Sequence, residues 1–149
     1  MSGFLHLSDF HLVEDETALS RAFNAKYILE KTVDKIVDKK EDFGNLDGVI
    51  ITGDISDDGS TASYSDAYDI LKELNLPLLA IPGNHDLRKP MMDYFAKDTD
   101  IQNSKFFDWA YETSDTLIIG LDTLVEGQNH GMLRSESLNL LVENLNQPT

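Results

Sequence analysis

Three short apolar stretches of this chain are each followed at once by side chains that can bind metal ions. The first precedes Asp9 and His11, the second precedes Asp54, and the third precedes Asn84 and His85. Carboxylates, neutral imidazoles and amide carbonyls are ligands that divalent Mn, Fe and Zn accept, and the 149-residue chain has no cysteine thiolate to compete with them. The three groups therefore indicate a metal centre, provided that the fold brings them together.

Taken singly, each of these patterns has a simpler explanation. In an extended segment, residues two apart point to the same side, so Asp9 and His11 could both reach one ion. An Asp that caps the following turn is nevertheless the commoner origin of an isolated Asp-x-His pattern, and Asn84 is of a type that is frequent in turns for backbone reasons alone. Two other histidines are better explained without a metal: His6 as a hydrogen-bonded residue within its strand, and His130 as a surface residue in a loop.

The apolar pattern predicts strands and helices that alternate in the first part of the chain and would position these groups. Strands are predicted at residues 4–7, 47–52 and 78–81. Apolar residues at intervals of three and four predict one helix over 25–37 and another that begins near Ser63, where Ser63 and Asp66 resemble a capping box. Such β-α-β units have parallel strands, whose carboxyl ends meet at one edge of the sheet. The predicted fold class is therefore α/β, with the three polar groups at one edge.

The last part of the chain is predicted to add a second sheet and a final helix. A short helix is expected over 90–96, followed by an antiparallel hairpin whose strands are 106–113 and 116–122. Ser135 is expected to cap the final helix. That helix is predicted to be buried through an apolar stripe, which consists of Leu138, Leu141, Val142 and Leu145.

The charge of the chain excludes several classes of partner. Its 12 basic and 27 acidic residues give a net charge of −15, which argues against binding to nucleic acid polymers and to anionic membranes. We interpret the acidic runs 14–16 and 57–58 as solvated surface rather than as cation ligands. The chain contains no P-loop motif, no membrane-spanning stretch and no signal-peptide pattern after Met1, so we expect a cytoplasmic protein that is not a P-loop nucleotidase.

The segments 8–12 (SDFHL), 52–56 (TGDIS) and 81–86 (IPGNHD), in this order, closely resemble the motifs of the calcineurin-like metallophosphoesterases, and their wording resembles the bacterial cyclic-nucleotide phosphodiesterase branch. The likeness extends to Leu121-Asp122 and to Gly131. It implies a four-layer α-β-β-α sandwich of two packed sheets with outer helices, whose second sheet would be incomplete in this chain.

The resemblance also implies a role for each candidate residue. Asp9 and His11 would bind the first of two divalent ions (Mn, Fe or Zn), Asp54 would bridge both ions, and Asn84 would bind the second. His85 would be the catalytic residue beside the phosphate and would bind no metal. The implied reaction is the hydrolysis of a small phosphodiester, a cyclic nucleotide or a glycerophosphodiester, by a hydroxide that the two ions share.

One feature of the family pattern is missing from the sequence. Family members carry further metal-binding histidines downstream, one on a later strand and two in a Gly-His-x-His turn, whereas only His130 follows His85 here. We therefore expect residues 1–149 to be the N-terminal part of a single catalytic domain, with partial or no metal occupancy and low activity. The alternative is a catalytically inactive module that forms homo-oligomers through uncovered sheet surface.

Overall fold

The computed structural model describes residues 2–14, 24–101 and 104–146. Within these ranges strands and helices alternate through the first half of the chain, and a hairpin and a last helix follow. The strands are β1 (Phe4–Leu7), β2 (Gly48–Thr52), β3 (Leu78–Ile81), β4 (Trp109–Glu112) and β5 (Leu117–Gly120). The helices are α1 (Ala25–Asp38), α2 (Thr61–Leu71), α3 (Arg88–Phe95) and α4 (Ser135–Leu145).

The first three strands form a parallel sheet in the order β1-β2-β3, as the β-α-β pattern predicted. Leu5 lies opposite Val49, and Val49 lies opposite Leu78. In the central strand, Val49 and Ile51 are fully shielded from solvent. These residues share one buried cluster with Val33 of α1 and with Tyr64, Leu71 and Phe95 from the following helices. The carboxyl ends of all three strands are thereby held on one rigid edge.

A second sheet consists of the antiparallel pair β4 and β5. It adjoins the parallel sheet, since the indole N–H of Trp109 donates to the carbonyl of Ala80 at 2.7 Å. Both strands are shorter than predicted, and at the open end of the hairpin side chains take over the hydrogen bonding. The Asp122 carboxylate accepts from the N–H of Phe107 at 3.0 Å, and the Asp108 carboxylate accepts from the N–H of Asp122 at 2.8 Å. The α/β fold class is confirmed.

Two helices begin earlier than the sequence predicted. Ser60, and not Ser63, caps α2, since its hydroxyl accepts from the N–H of Ser63 at 3.1 Å. Ser63 lies inside the helix, fully buried, and its hydroxyl donates back to the carbonyl of Ser60 at 2.8 Å. Helix α3 begins at Arg88 rather than at Pro90, because proline is tolerated in the first turn of a helix, where its missing N–H would have no partner.

The predicted burial of α4 is wrong. Leu138, Val142 and Leu145 are 44%, 54% and 67% exposed and Leu141 is half-buried, so most of the apolar stripe of this helix faces solvent. The buried residue of α4 is instead Ser137, whose hydroxyl donates to the Asp108 carboxylate at 3.0 Å. Ser135 also fails as a cap, because the helix begins at Ser135 without a side-chain capping bond. None of the helices in the described ranges is long and apolar enough to cross a membrane.

Candidate metal centre

The candidate site lies where β1, β2 and β3 end, and the loops that leave β1 and β2 run side by side there. The N–H of Asp9 donates to the carbonyl of Gly53 at 3.1 Å, and the N–H of His11 donates to that of Asp54 at 2.9 Å. The N–H of Leu12 then bonds to the carbonyl of Ile55 at 3.0 Å. The parallel pairing of the strands thus continues into the loops and brings two of the predicted groups together.

Three predicted ligands have a strained backbone. Asp9, His11 and Asp54 have φ angles of 61°, 50° and 52°, in the left-handed region that side chains other than glycine disfavour. Among the described residues other than glycine, only Asn75, in the turn after α2, shares this conformation. Strain that is concentrated in this way is typical of functional sites, where surrounding structure holds residues in costly conformations.

The side chains of Asp9, His11 and Asp54 converge. One potential ligand atom from each lies within 4.8 Å of the other two. His11 Nε2 is 3.8 Å from Asp9 Oδ1 and 3.7 Å from Asp54 Oδ2. His11 and Asp54 are mostly buried, whereas the Asp9 side chain is 67% exposed, so the group opens to solvent on one side. Two carboxylates and one imidazole with a free nitrogen fit a borderline divalent cation.

Asp57 connects this group to His85. One oxygen, Asp57 Oδ1, lies 2.9 Å from His11 Nδ1 and 3.0 Å from His85 Nδ1, and the two imidazole rings meet edge to face at 4.9 Å. Because a carboxylate can only accept, both Nδ1 atoms must carry hydrogen, which leaves the Nε2 atoms of the neutral rings as acceptors or ligands. The interpretation of run 57–58 as solvated surface is therefore wrong for Asp57. A possible signal was the position of Asp57 three residues after Asp54, in the same strand-end loop.

The loop after β3 packs directly against the loop after β2. A side chain on Gly53 would overlap the backbone of Gly83, and one on Gly83 would overlap the Asp54 carboxylate. This close approach lets the N–H of His85 donate to Asp54 Oδ1 at 3.1 Å. Asn84 lies between these two contacts and is exposed. The third predicted group is thus adjacent to the second, with His85 partly exposed beside it.

Asp86 is a buried anchor that sequence reasoning left without a role. It is 1% exposed and accepts from the N–H groups of Ile55, Ser56 and Gly83 and from the Tyr64 hydroxyl. Burial raises the pKa of Asp86, and these four donors oppose the shift because they favour the carboxylate. The Tyr64 hydroxyl in turn accepts from the N–H of Leu87 at 2.7 Å. The loops after β2 and β3 are thereby tied together beneath the site.

Asp58 is also a structural residue rather than a solubility feature. Its carboxylate accepts from the N–H of Glu14 at 2.8 Å and from that of Ser60 at 2.9 Å, and it accepts from the hydroxyl of Ser56 at 3.0 Å. Burial acts to raise the pKa of Asp58, but these hydrogen bonds outweigh it and lower the pKa from 3.8 to about 2. Of the other acidic run, Glu14 is exposed, and residues 15 and 16 lie outside the described ranges.

Asp58→Asn is expected to lower the free energy of unfolding at pH 7 by roughly 1 kcal/mol, a value kept small because the side chain is well exposed. The stabilisation by the ionised carboxylate is present above the unfolded pKa of 3.8 and is lost as the pH falls through the folded pKa of about 2. The difference between variant and wild type should therefore shrink between pH 4 and pH 2. Urea unfolding over this pH series measures it, and a constant difference would contradict the assignment.

The remaining histidines lie apart from this arrangement. His6 is exposed on β1, and its Nε2 is hydrogen-bonded to the Thr52 hydroxyl at 2.8 Å. His130 is exposed in the loop before α4. Both positions agree with the interpretations made from the sequence. Among the described residues, the His, Asp and Glu groups that could hold a metal ion are Asp9 with His11 and Asp54, and His11 with Asp57 and His85.

A family model for calcineurin-like phosphoesterases matches residues 3–146, and the chain belongs to this family of metal-dependent hydrolases. The family implies divalent metal ions, which the donor set described above fits. The recognition made from the three motifs is confirmed.

Curated relatives include two cyclic nucleotide enzymes. The chain is 28% identical over 137 residues to the 3′,5′-cyclic adenosine monophosphate phosphodiesterase CpdA of Pseudomonas aeruginosa. This match covers 92% of this chain and 47% of that protein. It is 30% identical over 141 residues to the CpdA of Haemophilus influenzae, and this match covers 95% of this chain and 49% of that protein. The chain is 34% identical over 101 residues to a probable glycerophosphodiester phosphodiesterase GpdQ of Arcobacter nitrofigilis. This match covers 68% of this chain and 37% of that protein. The chain spans about half the length of the CpdA relatives.

Proposed function

We propose that this chain carries the metal-binding core of a phosphodiesterase that hydrolyses small phosphodiesters, with cyclic nucleotides or glycerophosphodiesters as the substrate class. The observation that carries the proposal is the convergence of Asp9, His11 and Asp54 within 4.8 Å, with His85 joined to them through Asp57. The names of the relatives support both substrate classes. The net charge of −15 favours a small substrate over an extended polyanion.

Each residue would have a separate task. Asp9 and His11 would hold a first ion, Asp54 would contact two ions, and Asn84 would hold the second. When bound, such ions supply Lewis acidity toward the phosphate and lower the pKa of a coordinated water. His85, with its Nδ1 hydrogen directed at Asp57, would present Nε2 to the substrate. In the protonated imidazole, Nε2 would donate to the phosphate or to the leaving oxygen.

The two ion positions are unequally supplied with ligands among the described residues. The first would have Asp9, His11 and Asp54, whereas the second would have only Asn84 and a shared Asp54. A neutral amide and one shared carboxylate cannot balance two dications, so we propose that the second position is weakly occupied. We also propose that residues 1–149 form the N-terminal part of a single cytoplasmic catalytic domain.

Metal binding and turnover by the purified chain test the function. We expect weak binding of about one Mn²⁺ per chain and slow hydrolysis of cyclic AMP or a glycerophosphodiester that EDTA abolishes. Two tightly bound ions with efficient turnover would contradict the proposed inequality of the two positions. A chain that binds no Mn²⁺ even at millimolar concentration would contradict the metal centre itself.

Asp57→Asn is expected to reduce Mn²⁺ affinity and turnover by about 10- to 100-fold, the usual cost of losing a residue that orients metal-binding histidines. The amide keeps the size of the side chain but cannot accept from both Nδ1 atoms with the strength of a carboxylate. Asp34→Asn is the matched control, because Asp34 lies on α1 in an exposed pair with Lys31. Equal metal affinity and turnover in the two variants would show that Asp57 does not position the histidines.

The exposed apolar stripe of α4 favours a second candidate, an inactive module that self-associates. Leu138, Val142 and Leu145 are 44% to 67% exposed, and such stripes commonly pack against another polypeptide. Solution mass over a concentration series tests this candidate. A dimer that Val142→Glu converts to a monomer would support it, and a monomer at every concentration would exclude it.

A further inference from the structure

A cavity of about 490 Å³ lies beside the first two turns of α3, a volume typical of sites for small organic ligands. Met92 of α3 and Phe106 of the segment before β4 provide its apolar lining. Glu126 and the aliphatic part of Arg88 close the side nearest the start of the helix. None of these residues belongs to the proposed metal ligands.

The aromatic wall of the cavity is held rigidly. The guanidinium of Arg134 lies over the Phe106 ring at 3.4 Å from its centroid, and that of Arg88 lies at 5.1 Å. Both guanidiniums are fixed, because Arg134 pairs with Asp108 and Arg88 makes two bonds of 2.7 and 2.8 Å to the fully buried Asp122. The ring and the two guanidiniums thus form one ordered wall, which loses little conformational entropy when a ligand binds beside it.

The polar lining of the cavity offers both donors and acceptors. Lys89 and Lys105 contribute ammonium groups, which are uncommon in a chain with 12 basic residues against 27 acidic ones. Asp93 and Glu126 contribute carboxylates that can accept from hydroxyl and amino groups. An apolar interior surrounded by mixed polar groups suits a flat heterocycle joined to a sugar. A glycerol group has too little apolar surface to use such an interior.

The cavity lies close to the candidate metal centre. Arg88 follows His85 by three residues, so their Cα atoms are at most about 11 Å apart. The N–H of Arg88 donates to Glu126 at 3.0 Å, which places the cavity lining at the end of α3 nearest the site loop. This end of the cavity therefore lies next to the loop that carries His85.

We propose that this cavity holds the nucleoside part of a phosphodiester substrate whose phosphate lies at the candidate metal centre. This inference rests on the proposed function and narrows it to nucleotide substrates. Binding of adenosine, AMP and glycerol 3-phosphate, measured by calorimetry with and without Mn²⁺ and located by amide chemical shifts in its absence, tests the proposal without requiring turnover. We expect adenosine to shift amides of residues 88, 89, 91–93 and 104–106 without Mn²⁺, and glycerol 3-phosphate to leave them unchanged. Mn²⁺ should strengthen binding of AMP but not of adenosine.

Two tryptophan variants sharpen the test. Met92→Trp fills the cavity and should weaken adenosine binding by about tenfold or more, a loss similar to what one bound base contributes to binding. Met132→Trp, at a 60% exposed position outside the cavity, is the matched control and should bind as the wild type does.

Failures of the two proposals can be told apart. Adenosine shifts elsewhere, no adenosine binding at millimolar concentration, or equal shifts with glycerol 3-phosphate would overturn the cavity assignment and leave the metal centre standing. AMP binding that Mn²⁺ does not strengthen would count against the metal centre, and with it against the cavity as a substrate subsite.

Discussion

Asp54→Ala is expected to lower metal-dependent hydrolysis of phosphodiesters by about 10³-fold or more, a loss of about 4 kcal/mol in transition-state stabilisation. Asp54 is the one proposed ligand that would serve both ions, and its Oδ1 also accepts from the N–H of His85 at 3.1 Å. Its removal should therefore weaken both ion positions and release the loop that carries His85. Mn²⁺ content and the hydrolysis of cyclic AMP, measured on the same sample, check the expectation.

His85→Ala provides the contrast that separates metal binding from chemistry. It should lower kcat strongly while Mn²⁺ content stays near that of the wild type, because His85 would act on the phosphate only. Asp34→Ala, in an exposed pair on α1, is the control for general effects of removing a carboxylate. Wild-type turnover in Asp54→Ala, or the same loss of metal in His85→Ala, would refute the assigned roles.

Asp86→Ala is expected to lower the free energy of unfolding by about 3 kcal/mol or more. The substitution leaves three backbone N–H groups and the Tyr64 hydroxyl without their buried acceptor, and each unpaired buried group costs about 1–3 kcal/mol before relaxation. Because these groups belong to the loops after β2 and β3, Mn²⁺ affinity should fall as well. Urea unfolding and Mn²⁺ titration of the same variant measure both effects.

Asp69→Ala is the matched control for that experiment. Asp69 is exposed on α2 in a pair with Lys72, and exposed pairs of this kind contribute less than about 1 kcal/mol. Tyr64→Phe tests the same hydrogen-bond network with Asp86 in place, since it removes the hydroxyl that joins Asp86 to the N–H of Leu87. If Asp86→Ala were no more destabilising than Asp69→Ala, the role of Asp86 as an anchor would be wrong.

The sequence alone predicted the parallel sheet and the approach of Asp9, His11 and Asp54. Both follow from local rules: short apolar runs form buried strands, amphipathic segments form the helices between them, and parallel strands end at one edge of the sheet. The close contact between Gly53 and Gly83 brings the loop after the third strand to the same edge of the sheet. Such patterns can be recognised because each depends on neighbouring residues of the chain.

Other features were decided only by tertiary contacts, and sequence reasoning missed or misassigned them. Asp57 resembles its exposed acidic neighbours in composition, and only the convergence of two loops places its carboxylate between histidines that are 46 and 28 residues away. The stripe of α4 has the spacing of a buried face, but burial requires a partner surface, and no described element covers Leu145, which is 67% exposed. The spacing of apolar residues thus determined where helices and strands form, whereas three-dimensional proximity decided which polar residues build the site and which apolar faces remain open.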